Sequence, residues 1–295
     1  EKNLGSEYTK SKGIFPPETS FAEWMIPALK EAGVEWALID NIHFDRALKD
    51  YPYTAGSNLY PPNPADQSND KGVNWVQLKN IWAPSKVSAP WGYQPHFVEY
   101  CDPDMGKCEK IIAVPAARYE GNEDGKGGFG ALLYEAVMSQ YEDFNTDDKH
   151  PMLIVLHHDG DNYGGGVESY YKSNFVNFIN WLKENPDRFV ATTVQDYLDM
   201  FPPDENDVIH VEPGSWSGAN NGDPEFLKWN GDPDKDGYSP DRNSWGVLTA
   251  AKNRVQTADS ISPYTSLDNI LKGAGSDTDK AWHFFLVGES SDYWY

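Results

Sequence analysis

The sequence predicts an α/β fold built on a parallel sheet, open or closed into a barrel. Three observations predict it. Short apolar runs alternate with segments of helical spacing between residues 21 and 200. Titratable side chains gather just after those runs, where parallel α/β folds place their sites. A chain of 295 residues, 39% of them hydrophobic, is long enough for one large domain or two small ones with a real core.

The elements follow in order. Residues 21–32 carry Trp24, Ile26, Leu29 and Ala32 at helical spacing, and Gly33 reads as the glycine just past the helix end. Residues 34–39 then read as a strand that ends on Asp40. Residues 50–98 are rich in Pro, Gly, Asn and aromatics, and read as a long ordered loop insertion at about 50–100 rather than a linker. Residues 111–114 form a short buried strand, and residues 127–144 a helix with Leu132, Leu133, Ala136, Val137 and Tyr141 on one face. Residues 152–156 are the next strand. An aromatic amphipathic helix over 167–184 is closed by Asn185-Pro186. Residues 189–193 read as another strand, followed by a short helix to Met200 and a Pro-Pro stop. Past residue 203 the chain becomes loop-rich and then helical, near 245–255 and 278–287. The expected division is a core over 1–203 and a loop-rich, helical region over 204–295 packed on it.

Composition narrows the function. A formal net charge of −22 repels a nucleic-acid backbone and excludes it as a natural partner. No apolar run has the length of a membrane span. Eleven tryptophans and an aromatic share of 14% fit either core packing or the lining of a sugar cleft. The two cysteines, in "CDPDMGKC", cannot supply four zinc ligands and lack redox spacing. A disulfide between Cys101 and Cys108 is expected, and with it an oxidising, extracellular or cell-surface setting.

Two stretches carry chemistry. "LHHDGDNYGGG", residues 156–166, places His158, Asp159 and Asp161 straight after an apolar strand and before three glycines that let backbone approach a ligand. "GIFPPETSF", residues 13–21, sets Glu18 behind two prolines, a stiff entry suited to a nucleophile. Brought together, Glu18 and Asp159 would form a carboxylate pair fit for glycosidic cleavage.

Residues 13–44, "GIFPPETSFAEWMIPALKEAGVEWALIDNIHF", resemble the nucleophile region of glycoside hydrolase family 57, through the Pro-Glu core, the Ala-Gly turn and the strand ending Asp40-x-x-His43-Phe44. "HHDGDNYGGG" resembles the family's acid region. "GSWSG…FLKWNGD…NSWGVL" and "VGESSDYWY" are similar to its later blocks, so four blocks in order span nearly the whole chain. The resemblance, closest to amylopullulanase-type, α-glucan-active modules, implies a (β/α)7-type barrel with a C-terminal helical region. It implies retaining cleavage or transfer at α-glycosidic bonds of a carbohydrate, with Glu18 as nucleophile, Asp159 as acid/base and no required cofactor. Asp40, His43, His158, Asp161, Trp216 and Asp292 would line the sugar site. The family opens with a His-Gln-Pro strand that is missing here, so the expected barrel is incomplete and the chain reads as a fragment, a processed form or a divergent member. Asp161 stands where many members have Glu.

One further stretch, "DPDKDGYSPD", spaces Asp232, Asp234 and Asp236 like the start of a calcium loop, with Asp241 near its end. It reads either as a calcium site or as a solvated acidic turn. Two other function classes fit parts of the sequence. A metal-dependent polysaccharide deacetylase uses a similar Asp-Gly turn, but its downstream His-x-x-x-His pair is absent. A self-assembling surface or filament protein on a hydrolase scaffold fits the acidic charge and the aromatic loops.

Overall fold

The computed structural model describes residues 11–55, 59–125, 132–157, 174–218, 226–231 and 235–289. The chain divides into two units, Glu1–Phe226 and Leu227–Tyr295. The strands are β1 (Gly13–Ile14), β2 (Trp36–Asp40), β3 (Asn74–Val76), β4 (Val87–Ala89), β5 (His96–Cys101), β6 (Cys108–Ala116) and β7 (Val208–Ile209). Five of them form one sheet in the order β1-β2-β6-β5-β7, while β3 and β4 pair separately. This is a mixed α/β fold. Among the described residues the sheet is an open one.

β2 lies inside the sheet because its side chains are apolar on both faces. Ala37 and Ile39 join one buried cluster with Ile111 and Ala113 of β6; Leu38 and Val114 join another with Leu153, Tyr197 and Leu198. That split is the period-two alternation of a strand covered on both sides. At the sheet edge Gly13 stands opposite Trp36, and any Cβ there would fall 1.9 Å from the indole.

β1–β2, β2–β6 and β5–β7 are parallel, as the alternation of elements predicts. The β5–β6 ladder is antiparallel and corrects the all-parallel expectation. Its physical cause is length: residues 102–107 are too short for the crossover of about a dozen residues that parallel neighbours need. Cys101 and Cys108 face each other at the hairpin end and form the expected disulfide. The Asp102 carboxylate accepts the N–H groups of Asp104 and Met105, and Gly106 takes a positive φ of 64° to close the turn.

The helices are α1 (Ile26–Glu31), α2 (Asn41–Arg46), α3 (Arg118–Gly125), α4 (Tyr134–Met138), α5 (Asn174–Glu184) and α6 (Val194–Met200) in the first unit. Gly33, at φ 79°, ends the α1 region as expected. α2 follows β2 without a loop, and α3 begins two residues after β6. Asp40 pairs in register with Ala116, so both helices leave the same end of the sheet, the C-terminal ends of β2 and β6. Ala116 also bridges Val155, which brings residues 155–157 to that end. The candidate site is built there.

Several expected elements changed. Residues 152–156 make only the single Val155 bridge, and residues 189–193 are coil. The first stretch packs, with Leu153 buried, whereas in the second only Phe189 packs, 4.6 Å from Trp181, and Val190 is 82% exposed. The helix expected over 127–144 appears as α4 and a following 3-10 turn, Ser139–Phe144; residues 126–131 lie outside the described residues. The loop region over 50–98 is ordered by its aromatics and aliphatics, with Tyr51, Leu78, Val87, Trp91 and Tyr93 buried.

The second unit holds α7 (Leu227–Asn230), α8 (Pro240–Ile261), α9 (Leu267–Lys272) and α10 (Asp277–Gly288). Ser239, Ser266 and Ser276 cap the last three, each hydroxyl accepting the N–H three residues on. Among the described residues no helix is long and apolar enough to cross a membrane.

Candidate active site

The entry to Glu18 is rigid because Pro16 and Pro17 fix φ at successive positions. Residues Pro17–Thr19 then form a 3-10 turn closed by Thr19 N–H on Pro16 O at 2.9 Å. Within it Glu18 takes φ 57° and Thr19 φ 49°. Two consecutive non-glycine residues in the left-handed region cost on the order of 1 kcal/mol or more each, and such strain persists only where the surroundings fix it.

The surroundings here are residues 214–216. Phe21 and Gly214 exchange backbone hydrogen bonds at 2.8 and 3.1 Å. Trp216 donates twice to Glu18: its backbone N–H to the Glu18 carbonyl at 3.0 Å, and its indole Nε1–H to Oε2 at 2.5 Å. One residue thus sets both the turn and the direction of the carboxylate.

A second layer holds residues 214–216. His43, on α2, donates from Nε2 to Ser215 O at 3.0 Å. Its ring lies flat against Gly214, where a Cβ would come within 2.1 Å, so only glycine fits. The other face of the cluster is Glu212. It accepts from Arg46 Nε at 2.5 Å and Nη2 at 2.9 Å, and its Oε2 lies 3.8 Å from His43 Nδ1. Burial pushes the Glu212 carboxyl up, but His43 and Arg46 outweigh it and hold the group below the ordinary carboxylate range.

Asp40 ends β2 with no exposed surface. Its Oδ2 accepts from Thr19 Oγ1 at 3.4 Å and lies 3.8 Å from Arg118 Nη1. Its Oδ1 approaches His157 Nε2 at 3.0 Å, an ion contact without the alignment of a full hydrogen bond. Burial alone would raise this carboxyl; His157, Arg118 and His43 together bring it below its usual value. Arg118 also stands over the Trp216 ring at 5.7 Å. Phe15 is 43% exposed, and its ring lies 5.8 Å from that of His157.

Of the residues expected from the sequence, Glu18, Asp40, His43 and Trp216 are brought together. Asp40 and His43, expected as sugar-lining, are both buried, and the partners above are protein groups. Asp159, His158, Asp161, Asp292, Asp232 and Asp234 lie outside the described residues. In the second unit Asp241 sits in the first turn of α8, its carboxylate against Gly231, and Asp236 lies in the turn before that helix. Among the described residues one group, Glu99 with Cys101 and Cys108, has the spacing of metal ligands, and its sulfurs are spent on the disulfide. Thr19, Arg118 and Glu212 were missed by sequence reading; His157 was marked by the histidine pair of "HHDGD", expected as a supporting shell for Asp159.

A different buried group lies on the same two helices. Asp45 of α2 and Glu120 of α3 are both fully buried. Ser88 donates to Asp45, and the Tyr93 hydroxyl to Glu120 at 2.7 Å. Burial pushes both carboxyls up; Ser88 partly offsets this at Asp45, where the nearby Glu120 charge adds to it.

No family model matches the chain. It is similar to an alpha-amylase. That relative, from Niallia circulans, is 29% identical over 290 residues, which are 95% of this chain and 21% of the relative. The chain therefore spans about a fifth of the length of the curated relative it matches. Among solved structures, the 4-alpha-glucanotransferase from Thermococcus litoralis superposes with a TM-score of 0.42 at 15% identity, covering 86% of this chain and 27% of its own. A superposition that loose bears on neither mechanism nor specificity.

Proposed function

We propose that this chain carries the catalytic centre of a retaining glycoside hydrolase or transglycosylase acting on α-glycosidic bonds, of the family 57 type, on a (β/α)7-type barrel. The observation that carries the reading is Glu18: a carboxylate on a strained, doubly clamped turn near the C-terminal ends of the strands, where α2 and α3 begin. Its similarity to an alpha-amylase supports an α-glucan as substrate.

In this mechanism Glu18 attacks the anomeric carbon while Asp159 gives its proton to the departing glycosidic oxygen. The C–O bond breaks and a glycosyl ester forms on Glu18. Asp159, now ionised, takes a proton from water or a sugar hydroxyl, which attacks the anomeric carbon and frees Glu18. Trp216 holds Oε2 by a hydrogen bond and so sets the direction of the attacking carboxylate. The exposed Phe15 ring supplies an apolar face for a sugar at the rim. The Cys101–Cys108 disulfide supports an oxidising, extracellular or cell-surface location.

The test is turnover of maltooligosaccharides and soluble starch by the wild type, Glu18→Gln and Asp159→Asn. Both variants should lose at least about a thousandfold in kcat, and an activated fluoroglycoside should label Glu18 in the wild type. Turnover by Glu18→Gln at the wild-type rate rejects the reading.

A further inference from the structure

We propose that Glu212 is a positioning residue for the nucleophile: it fixes His43, and through His43 the 214–216 segment that clamps Glu18. The inference rests on the glycosidase reading above and concerns the nucleophile alone. It adds a residue that acts without touching the sugar.

Glu212 meets His43 twice. Its backbone N–H donates to the His43 carbonyl at 3.1 Å, and its Oε2 lies 3.8 Å from His43 Nδ1. Ser215 O can only accept, so His43 Nε2 carries the proton of that 3.0 Å bond. Nδ1 is then the ring atom turned to the carboxylate, and it is buried without a hydrogen-bond partner. Burial pushes the Glu212 carboxyl up, and His43 and Arg46 outweigh it, so the contact between ring and carboxylate is attractive.

Glu212 is itself immobile. Arg46 grips both of its oxygens, from Nε at 2.5 Å and from Nη2 at 2.9 Å. A fork of this kind fixes direction as well as distance. The same guanidinium donates from Nη1 to Tyr60 O at 2.9 Å and from Nη2 to Pro61 O at 3.3 Å. The loop at residues 60–61 and the segment that carries Trp216 are therefore anchored on one buried ion pair.

A buried ion pair is a poor device for stability alone. Taking both charges out of water offsets most of their attraction, and apolar side chains of similar volume often hold a fold as well or better. Apolar side chains would not orient the His43 ring or its bond to Ser215 O. From that carbonyl the next residue is Trp216, which donates to Glu18 O at 3.0 Å and to Glu18 Oε2 at 2.5 Å. A misplaced carboxylate acts on kcat, since an error of about 1 Å costs on the order of a hundredfold. A residue that binds the sugar directly acts mainly on KM.

The experiment measures Glu212→Gln on a maltooligosaccharide, with kcat referred to the sites that an activated fluoroglycoside labels. The amide keeps the shape of the side chain and removes the charge that holds His43. The expected result is a kcat per labelled site lower by about tenfold, with KM within about threefold. A merely structural Glu212 would lower the thermal midpoint and the number of labelled sites, and leave kcat per site as it was. Trp216→Phe gives a second readout. Glu212 acts through the Trp216 segment, so the double variant should lose clearly less than the product of the two single losses. Where Glu212→Gln fails to fold, the same assay compares His43→Leu with His43→Gln. Leucine removes the donor to Ser215 O and should cost about tenfold in kcat, whereas the glutamine amide offers an N–H there and should recover most of that loss. A wild-type kcat per site in Glu212→Gln, a loss confined to KM, independent losses in the double variant, or equal losses in the two His43 variants overturns the inference. An inactive Glu18→Gln beside such a result leaves the glycosidase reading standing, whereas turnover by Glu18→Gln at the wild-type rate removes that reading itself.

Discussion

At the scale of single residues, Glu18 is held in an unfavourable backbone region by a tryptophan nearly two hundred positions away. The indole N–H is a neutral donor to an ionisable acceptor, a contact worth about 1.5–3 kcal/mol when the acceptor is charged. Trp216→Phe keeps the ring against Arg118 and removes only that donor. It should lower kcat/KM by roughly ten- to a hundredfold with a nearly unchanged thermal midpoint. Steady-state kinetics beside a melting curve checks this, and an unaltered kcat/KM would show that the indole does not aim the carboxylate. Gly214 belongs to the same unit, since a methyl group there meets the His43 ring at 2.1 Å. The backbone of residues 214–216 has no other way to pass that close to α2.

At the scale of elements, an apolar run does not by itself report strand pairing. β2 and β6 were legible because each is an apolar run that ends on the residues starting a helix. Residues 152–156 and 189–193 carry the same pattern, yet one makes a single bridge and the other none. Leu153 and Phe189 pack in the tertiary structure while Val190 is 82% exposed, and neither outcome leaves a separate mark in sequence. The β5–β6 hairpin was not expected: the link between the cysteines was read as a disulfide loop only, and the alternation rule favoured parallel neighbours. One tie between elements has a pH consequence. His210, following β7, meets Glu23 Oε1 from Nδ1 at 2.8 Å and Asp66 Oδ1 from Nε2 at 2.9 Å. Both partners accept, so both ring nitrogens must donate and the ring must be cationic. Burial lowers its pKa, but the two carboxylates outweigh burial and raise it. A raised histidine pKa adds stability that is complete below the unfolded value of about 6.5 and is lost as pH rises through the folded value. His210→Gln should therefore be less stable than the wild type near pH 6, by about 1 kcal/mol for a partly screened pair, with the gap closing toward pH 9. Urea midpoints at the two pH values measure it; a gap that widens with pH contradicts the latch.

At the scale of the whole molecule, the site was legible where a local motif marks it and opaque where distant segments meet. Glu18 stood out through its two prolines. Trp216 came only from the family resemblance, and Glu212 and Arg118 from neither, because a contact between residues 18 and 216 or 46 and 212 has no local spacing to detect. The charge, by contrast, is fully written in composition. A formal net charge of −22 makes the folded chain repel itself, and that repulsion is longer-ranged than its ion pairs. Raising sodium chloride from about 0.01 to 0.15 M shortens the screening length from about 30 to 8 Å. Buried contacts such as Arg46–Glu212 are little affected over this range, since water and ions do not reach them. The thermal midpoint should therefore rise with salt. If the surface pairs, such as Arg188 with Glu135, dominate instead, it falls. Kinetics separates this effect from catalysis. An α-glucan is uncharged, so the molecular field neither steers nor repels it, and KM for a maltooligosaccharide should stay flat across the salt range in which the midpoint climbs. A KM that follows ionic strength would point to a charged substrate and away from a neutral glucan.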